Sequence, residues 1–450
     1  MSARLALALG AIGALLLAGC RGCGGSGTPD AGAAQPAASF ASSAWPASPD
    51  PPPLPSFAIA VRERSGIALP APCRYRGEPV RARIARSAVL AADPKVLGTL
   101  VMAEGGEPDP DAGEPGGPTR VGLVSWPSEG GIAPTAGSPR LLALPAAGEL
   151  LSSPLAREPE SGEWLMAYGP KTSSPRSEVL LWRGGHAELV GAGNGFEVVD
   201  LACAAGYCAL LTTHLGGVGA LDAELRIGRP SEPVGSWRLV SIEPELNTEP
   251  VPFRIAALAP TTAGHPPRAR VALADGEVLR FVEAGVGLEP KPLGELPAPH
   301  GALDAAGLPA AAALTLRGPA DERCQGAAGG VAFQQLDGPS LELPAALVPY
   351  GGALRAIDGG TFVLFEAPLS CSGGGPMLYA SIVPAGATTA ETPVAVGQAD
   401  AYAVSSSGPD VDLWVRQQDV VTWVRGRCVL ASGPADAGAG PPNPPSAQTR

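Results

Sequence analysis

Tight turns between short apolar runs limit what this chain can fold into. The stretch "RVALADGEVLRFVE" places Asp275 and Gly276 between two alternating apolar runs, and "RAIDGGTFVLFE" repeats the arrangement at 358–360. Such a pair favours a β-hairpin, because a type I′ turn needs a positive φ at both central positions. We therefore predict hairpins here, with Asp275 and Gly276 as the central residues of the first.

Helical patterning is scarce outside the N-terminal segment. No window of 14 residues has an apolar stripe with helical spacing, and the Ala-rich stretch 302–316 is interrupted by Pro309. The stretch 163–190 predicts two consecutive hairpins, the second turning at Gly184 and Gly185. Near the C-terminus, 411–430 predicts paired strands that carry Trp414 and Trp423. These patterns predict an all-β protein.

A loose repeat of about 50 residues organises these strands. The segments that begin near Val198, Phe253 and Leu354 each fit a plan of four strands. We therefore predict a β-propeller of six to eight blades, and favour seven because about 375 residues give about 54 per blade. The alternative is a pair of β-sandwich domains, which short strands at regular spacing also permit.

The N-terminus predicts export and anchoring. An apolar run from Leu5 to Ala18 is too short to cross a bilayer as a helix and is typical of a signal peptide. It ends in Leu17-Ala18-Gly19-Cys20, which resembles the lipobox of bacterial lipoproteins. The resemblance implies that Cys20 is lipidated and becomes the first mature residue. The alternative is an ordinary secretory signal peptide cut after Gly19.

The destination of the anchored protein is suggested by the next residue. Position 21 is Arg, not the Asp that resembles an inner-membrane retention signal in some Gram-negative bacteria. We therefore expect a cell-envelope protein held in the outer membrane of a Gram-negative bacterium by its lipid. Acyl chains on Cys20 would suffice as the anchor, because two or three chains hold a protein for long times.

Composition divides the chain into four parts. Residues 1–19 form the predicted signal peptide, and 20–56 are rich in Pro, Ala, Gly and Ser, which is typical of a flexible tether. Residues 57–432 form the predicted propeller-like domain. Residues 433–450 have the composition of a disordered tail.

The eight cysteines suggest disulfide bonds in an oxidising compartment. Six of them lie in the predicted domain, and six cysteines allow 15 pairings. Cys203 and Cys208 flank a four-residue loop and are expected to face each other across a hairpin. Cys73 and Cys428 lie near the two ends of the domain, so a bond between them would tie the ends together.

Three further cysteines complete the set. Cys324 and Cys371 are matched by elimination, as one candidate disulfide. Cys23 lies in the tether and is left over, either as a free thiol or in an intermolecular disulfide with a second chain.

Charge argues against a nucleic-acid partner. The formal net charge is −12, and the basic residues are scattered instead of forming a stripe. A phosphate backbone would therefore meet no coherent positive surface.

Motifs for metal or cofactor binding are incomplete, so we predict neither. In the acidic loop 104–119, Asp109, Asp111 and Gly113 reproduce only part of a calcium loop. "GAGNG" at 191–195 precedes a strand, which is the wrong context for a dinucleotide fingerprint. The histidines are not clustered as metal ligands would be; they are His186, His214, His265 and His300.

Catalytic motifs are also missing, so no catalytic residue is predicted. No Gly-x-Ser-x-Gly elbow marks a nucleophile. "SSGPDVDLW" at 406–414 fails to match the Asp-box of sialidase-like propellers, because Gly408 precedes Asp410. It is better interpreted as a strand entrance with Trp414 in the core.

Two functions remain for the predicted domain. The first is non-enzymatic binding of an envelope protein, peptide or glycan, with the loops 104–119 and 170–177 and the central opening as candidate surfaces. The alternative is a hydrolase of envelope polysaccharide or peptide, with carboxylates that converge in the central opening.

Overall fold

The structure is a computed structural model, and the residues that it describes form thirty short strands and one 3-10 turn, Val234–Ser236. The residues that it describes are 59–60, 66–83, 89–104, 120–125, 142–143, 148–170, 177–183, 186–193, 197–215, 221–242, 251–261, 265–307, 310–322, 328–345, 347–368, 370 and 376–430. Within these ranges, no helix is long and apolar enough to cross a membrane.

The described strands form seven antiparallel sheets, which are numbered I to VII in the chain order of strands β4 to β30. The N-terminal strands, which join sheet VII, are β1 (Ile59–Ala60), β2 (Cys73–Tyr75) and β3 (Val80–Arg83). Sheet I contains β4 (Val89–Ala91), β5 (Thr99–Glu104), β6 (Arg120–Ser125) and β7 (Leu142–Ala143). Sheet II contains β8 (Gly148–Arg157), β9 (Trp164–Pro170), β10 (Ser177–Arg183) and β11 (His186–Gly193).

Sheets III to VI follow the same plan of four consecutive strands, whereas sheet VII combines three C-terminal strands with the three N-terminal ones. Sheet III contains β12 (Glu197–Ala204), β13 (Tyr207–Leu215), β14 (Leu221–Gly228) and β15 (Arg238–Val240). Sheet IV contains β16 (Val251–Ala259), β17 (Arg268–Asp275), β18 (Val278–Ala284) and β19 (Lys291–Pro297). Sheet V contains β20 (Ala302–Ala306), β21 (Ala312–Leu316), β22 (Val331–Gln335) and β23 (Leu341–Leu343). Sheet VI contains β24 (Gly351–Ile357), β25 (Gly360–Pro368), β26 (Pro376–Pro384) and β27 (Val394–Gln398). Sheet VII begins with β28 (Ala401–Ser407), β29 (Asp410–Gln417) and β30 (Val420–Cys428).

The first strands of the seven sheets contact one another in chain order. Contacts run from β4 to β8, β12, β16, β20, β24 and β28, and β28 in turn contacts β4. The later strands of sheets I to VI lie progressively farther from these first strands, because each strand pairs with the one before it in the chain. The first strands are called the inner strands below.

The hydrophobic core lies between successive sheets. Leu211 of sheet III and Val271 of sheet IV, both fully buried, belong to one cluster. Sheets V and VI share a second cluster, which contains Leu314 and Val363. Trp414 of sheet VII is fully buried in a cluster with Leu90 and Leu100 of sheet I, so the last sheet packs on the first. Apolar burial therefore occurs on both faces of many central strands.

N-terminal strands complete sheet VII. Strands β2 and β3 both pair with β30, and Val80 lies opposite Trp423. Cys73 and Cys428 are register partners and form a disulfide, as the sequence predicted. Because strands from the two ends of the domain pair in one sheet, they cover a strand edge that would otherwise be exposed.

The hairpins predicted around Cys203 and Cys208, at 268–284 and at 351–368 are present. Cys203 and Cys208 form a disulfide across β12 and β13, and the intervening turn has positive φ at both Ala205 (52°) and Gly206 (76°), the type I′ pattern. The turn after β17 instead has Gly276 and Glu277 as its central residues, because Asp275 pairs with Val278. Since only Gly276 has a positive φ there, the predicted type I′ turn centred on Asp275 and Gly276 was wrong.

Other predicted strands are also present. The segments that begin near Val198, Phe253 and Leu354 correspond to the four-stranded sheets III, IV and VI. Trp414 lies opposite Trp423, and β10 pairs with β11, with Arg183 opposite His186. The failed Asp-box stretch is the β28–β29 hairpin with Trp414 in the core, as expected.

Several predictions fall outside the described residues. These are the signal peptide (1–19) with its lipobox, the whole tether (20–56), the tail (433–450), the thiols Cys20 and Cys23, and the candidate pair Cys324 and Cys371.

The two disulfides are expected to differ in their effect on stability. A double substitution Cys73→Ser with Cys428→Ser opens a link across 355 positions, and in the loop-entropy model it lowers the free energy of unfolding by up to about 6 kcal/mol. The matched double variant Cys203→Ser with Cys208→Ser opens a link across 5 positions and should cost about 2 kcal/mol. Urea denaturation measures both, and equal losses would contradict the role of the first disulfide in joining the chain ends.

Candidate functional site

Charged residues occupy comparable positions on four successive inner strands. Asp200 lies on β12, Arg254 on β16, Asp304 on β20 and Arg355 on β24. A shift in strand register lies just before Asp200, Arg254 and Asp304. Because a bulge changes the direction of the side chains beside it, it can turn a charged residue toward a neighbouring strand.

These four side chains form a chain of alternating charge. The Arg254 guanidinium contacts Asp304, with Nη1 and Oδ1 2.5 Å apart, and Asp200, with Nε and Oδ2 3.6 Å apart. The Arg355 Nη1 atom lies 3.4 Å from the other carboxylate oxygen of Asp304. Two carboxylates and two guanidinium groups therefore balance in charge across four sheets.

Backbone amides hold both carboxylates in place. Asp200 accepts hydrogen bonds of 2.9 Å from the N–H of Leu201 and from that of Ile255 on the next inner strand. Asp304 likewise accepts bonds from the N–H of Ala305 (2.9 Å) and of Leu354 on the next inner strand (2.6 Å). All four carboxylate oxygens thus accept an amide bond, and each Asp joins two sheets.

A third aspartate repeats this bridge between sheets I and II. Asp93, just after β4, accepts bonds from the N–H of Lys95 (2.7 Å) and from that of Arg157 on β8 (2.6 Å). Burial raises the pKa of Asp93, although both amide bonds oppose the shift. A buried carboxylate that accepts amide bonds from the next sheet is therefore a recurring device in this fold.

Burial shifts the pKa values of the residues in this series of alternating charges. It raises the pKa of Asp200 to about 6, against the opposing effect of the Arg254 charge. Burial also lowers the pKa of Arg355. For Arg254 the same effect of burial is outweighed by Asp304 and Asp200, so its pKa is raised. The Arg254 guanidinium therefore stays charged between two carboxylates.

The partly buried carboxyl group of Glu366 lies near this series of charged residues. Glu366 is on β25, opposite Gly351 of β24, and burial raises its pKa to about 7. A hydrogen bond from the Tyr350 side chain opposes that shift, and the charge of Asp400 adds to it. Burial likewise raises the pKa of the Tyr402 hydroxyl, to which the charge of Glu366 contributes.

The sequence-predicted site residues are not brought together here. Residues 105–119 and 171–176, which make up most of the two candidate loops and include Asp109, Asp111 and Gly113, lie outside the described residues. His186 belongs to β11 and His214 to β13, while His265 and His300 lie exposed in loops. In the described part of the chain, no group of three or more His, Cys, Asp or Glu side chains could hold a metal ion.

Sequence reasoning missed the charged chain altogether. Its signal is one charged residue inside an otherwise apolar strand, as in "VVDLAC", "PFRIAAL", "ALDAA" and "GALRAI". Four such segments at comparable places in successive repeats could have indicated a buried ionic cluster, because single buried charges are usually paired.

The partly buried Glu366 is expected to make stability depend on pH. Its carboxyl is protonated in both folded and unfolded chains below about pH 4.5, whereas near pH 7 only the unfolded chain readily ionises it, so stability falls as the pH rises through this window. Glu366→Gln removes the ionisable group. The change that it makes in the free energy of unfolding should therefore be more stabilising at pH 8 than at pH 4.5, by about 1 to 2 kcal/mol. Urea denaturation at both pH values measures the difference.

The matched control for Glu366 is Glu289→Gln, in an exposed turn, which should change stability by less than about 0.5 kcal/mol at both pH values. Equal effects of Glu366→Gln at pH 4.5 and pH 8 would show that burial does not perturb this carboxyl group.

Comparisons with known proteins assign no family. No protein-family model and no curated protein matches this sequence. A subtype N10 neuraminidase-like protein of A/little yellow-shouldered bat/Guatemala is 12% identical, with a TM-score of 0.37, and the match covers 78% of this chain and 99% of that chain. A subtype N11 neuraminidase-like protein of A/flat-faced bat/Peru is 11% identical, with a TM-score of 0.37 and coverage of 82% and 93%. A neuraminidase-like protein from A/bat/Guatemala is 9% identical, with a TM-score of 0.38 and coverage of 78% and 90%. Similarity at this level transfers neither a fold nor an activity to this chain.

Proposed function

We propose that this protein is an outer-membrane lipoprotein of a Gram-negative bacterium whose body is a seven-bladed β-propeller. Its function is to bind an envelope protein, peptide or glycan without chemical conversion. Residues 1–19 direct export, lipid on Cys20 anchors the chain, and residues 20–56 hold the body away from the bilayer.

One observation carries the propeller proposal: the inner strands contact one another in order, and the last contacts the first. Core clusters between successive sheets, including the one that joins sheet VII to sheet I, support the same arrangement. Two separate β-sandwiches would divide these contacts into two groups. The disulfide between Cys73 and Cys428 would then secure the blade in which both ends of the domain meet.

Binding is favoured over hydrolysis by the way the central carboxylates are used. A polysaccharide hydrolase typically uses one carboxyl group to transfer a proton and a second as nucleophile or base. Asp200 and Asp304 instead each accept two amide bonds and share Arg254. Their bonds join neighbouring sheets, so these groups support the scaffold. Surfaces on such a rigid scaffold are well suited to recognition.

The anchor is tested by Cys20→Ser in the full-length protein, expressed in a Gram-negative host. The native protein should fractionate with the outer membrane, and mass spectrometry should find an acylated cysteine as its first residue. The variant should lose the acyl groups and leave the outer-membrane fraction, because the acyl chains on Cys20 supply its attachment to the bilayer.

The matched control for Cys20 is Cys23→Ser, three residues later in the tether. It should leave acylation and fractionation unchanged, and comparison of the two on a non-reducing gel reports whether Cys23 links two chains. An unacylated N-terminus in the native protein would overturn the anchoring proposal.

A further inference from the structure

We infer that a cleft between sheets III and IV binds acidic sugars through the carboxylate of a hexuronate. The cleft encloses about 690 Å³ and is lined by Tyr207, Arg229, Glu232, Ser236, Arg238 and His265, with Ile227, Pro266 and Val286 as its apolar part. This volume is in the usual range for sites that take small ligands. The inference rests on the proposed function in one respect, since that function places the ligand in the cell envelope.

The wall of the cleft on sheet III is held rigid. The Trp237 indole N–H donates to the carbonyl oxygens of Arg229 and Glu232, at 3.1 Å in both cases, which fixes the turn that follows β14. Gly228 permits this, because a Cβ at that position would lie 2.2 Å from Trp237 Cδ1. Cys208, held by its disulfide, is the register partner of Gly228.

On the opposite wall, a side-chain hydroxyl holds the residues that precede β17. The Thr261 hydroxyl donates to the carbonyl oxygens of His265 (3.1 Å) and Pro266 (3.0 Å). These bonds fix the backbone that carries Arg229, His265 and Pro266 before any ligand arrives, and a preformed backbone reduces the entropy cost of binding.

The lining of the cleft carries two arginines, Arg229 and Arg238, against one glutamate, Glu232, in a chain with a net charge of −12. The Arg229 guanidinium lies over the Tyr207 ring, 5.3 Å from its centroid, which orients its plane. Arg238 is exposed and makes no ion pair with any other residue in the described ranges. Arginine suits a carboxylate, because its planar donors can bind both oxygens at once.

The remaining lining favours a sugar over a strongly acidic peptide. The Ser236 hydroxyl donates to the Pro233 carbonyl oxygen at 2.7 Å, so its oxygen lone pairs can accept hydrogen bonds from ligand hydroxyls. Glu232 can also accept from hydroxyl groups, whereas it would repel the closely spaced carboxylates of an acidic peptide. Ile227, Pro266 and Val286 offer apolar contact to the carbon face of a sugar ring.

The experiment is calorimetric titration of the purified full-length protein with trigalacturonate. Neutral galactotriose and penta-glutamate serve as comparison ligands. We expect trigalacturonate to bind, and galactotriose to bind at least about tenfold more weakly because it lacks the charge-assisted hydrogen bonds. Arg238→Gln should weaken trigalacturonate binding by about tenfold or more.

The matched control is Arg74→Gln, which removes the same charge from an exposed position on β2, outside the lining of the cleft. It should leave the affinity unchanged within about twofold. Three results would overturn the inference: equal weakening by both variants, tighter binding of penta-glutamate than of trigalacturonate, or no binding of trigalacturonate at about 5 mM. A dissociation constant above that concentration would be far weaker than that of typical specific sites. These outcomes do not depend on acylation of Cys20, so failure here and failure of the anchor are distinguishable.

Discussion

Carboxylates that accept amide bonds from the next sheet connect the inner strands of this protein. Asp200 and Asp304 each receive two backbone N–H groups, one from their own strand and one from the following inner strand. A carboxylate buried without such partners would be costly, and removal of one partner from a buried pair typically costs about 3 to 5 kcal/mol. The intervening Arg254 balances both charges, so these bonds can fix where one sheet lies relative to the next.

The two ends of the domain are joined in sheet VII, in addition to these bonds between inner strands. Hydrophobic packing between successive sheets has no preferred direction, but the pairing of β2 and β3 with β30 and the disulfide between Cys73 and Cys428 define where the series ends. A rigid series of sheets leaves the outer clefts and loops free to vary. The proposed acidic-sugar site uses such a cleft, whose walls belong to two neighbouring sheets.

Local signals in the sequence were enough to predict much of the fold. Turn residues and repeated apolar runs predicted an all-β chain, its four-stranded repeats, and two cysteine pairs that the structure contains. The turn at Asp275 was misplaced by one residue, because turn preference alone does not set strand register. Arg254 and Asp304 were missed because a charged residue in a strand is usually solvent-exposed, and only the packing of successive sheets shows which strand is innermost. The cleft was missed for a similar reason, since Arg229 and His265 are far apart in the chain.

The most direct test is a double-mutant cycle on Asp304→Asn and Arg254→Met, measured by urea denaturation of the full-length protein. It asks whether salt bridges between inner strands hold the sheets together. If they do, the two substitutions should be non-additive, with a coupling energy of at least about 1 kcal/mol. Additivity within about 0.3 to 0.5 kcal/mol would contradict the account, because it would mean that the two side chains do not stabilise each other across the sheets.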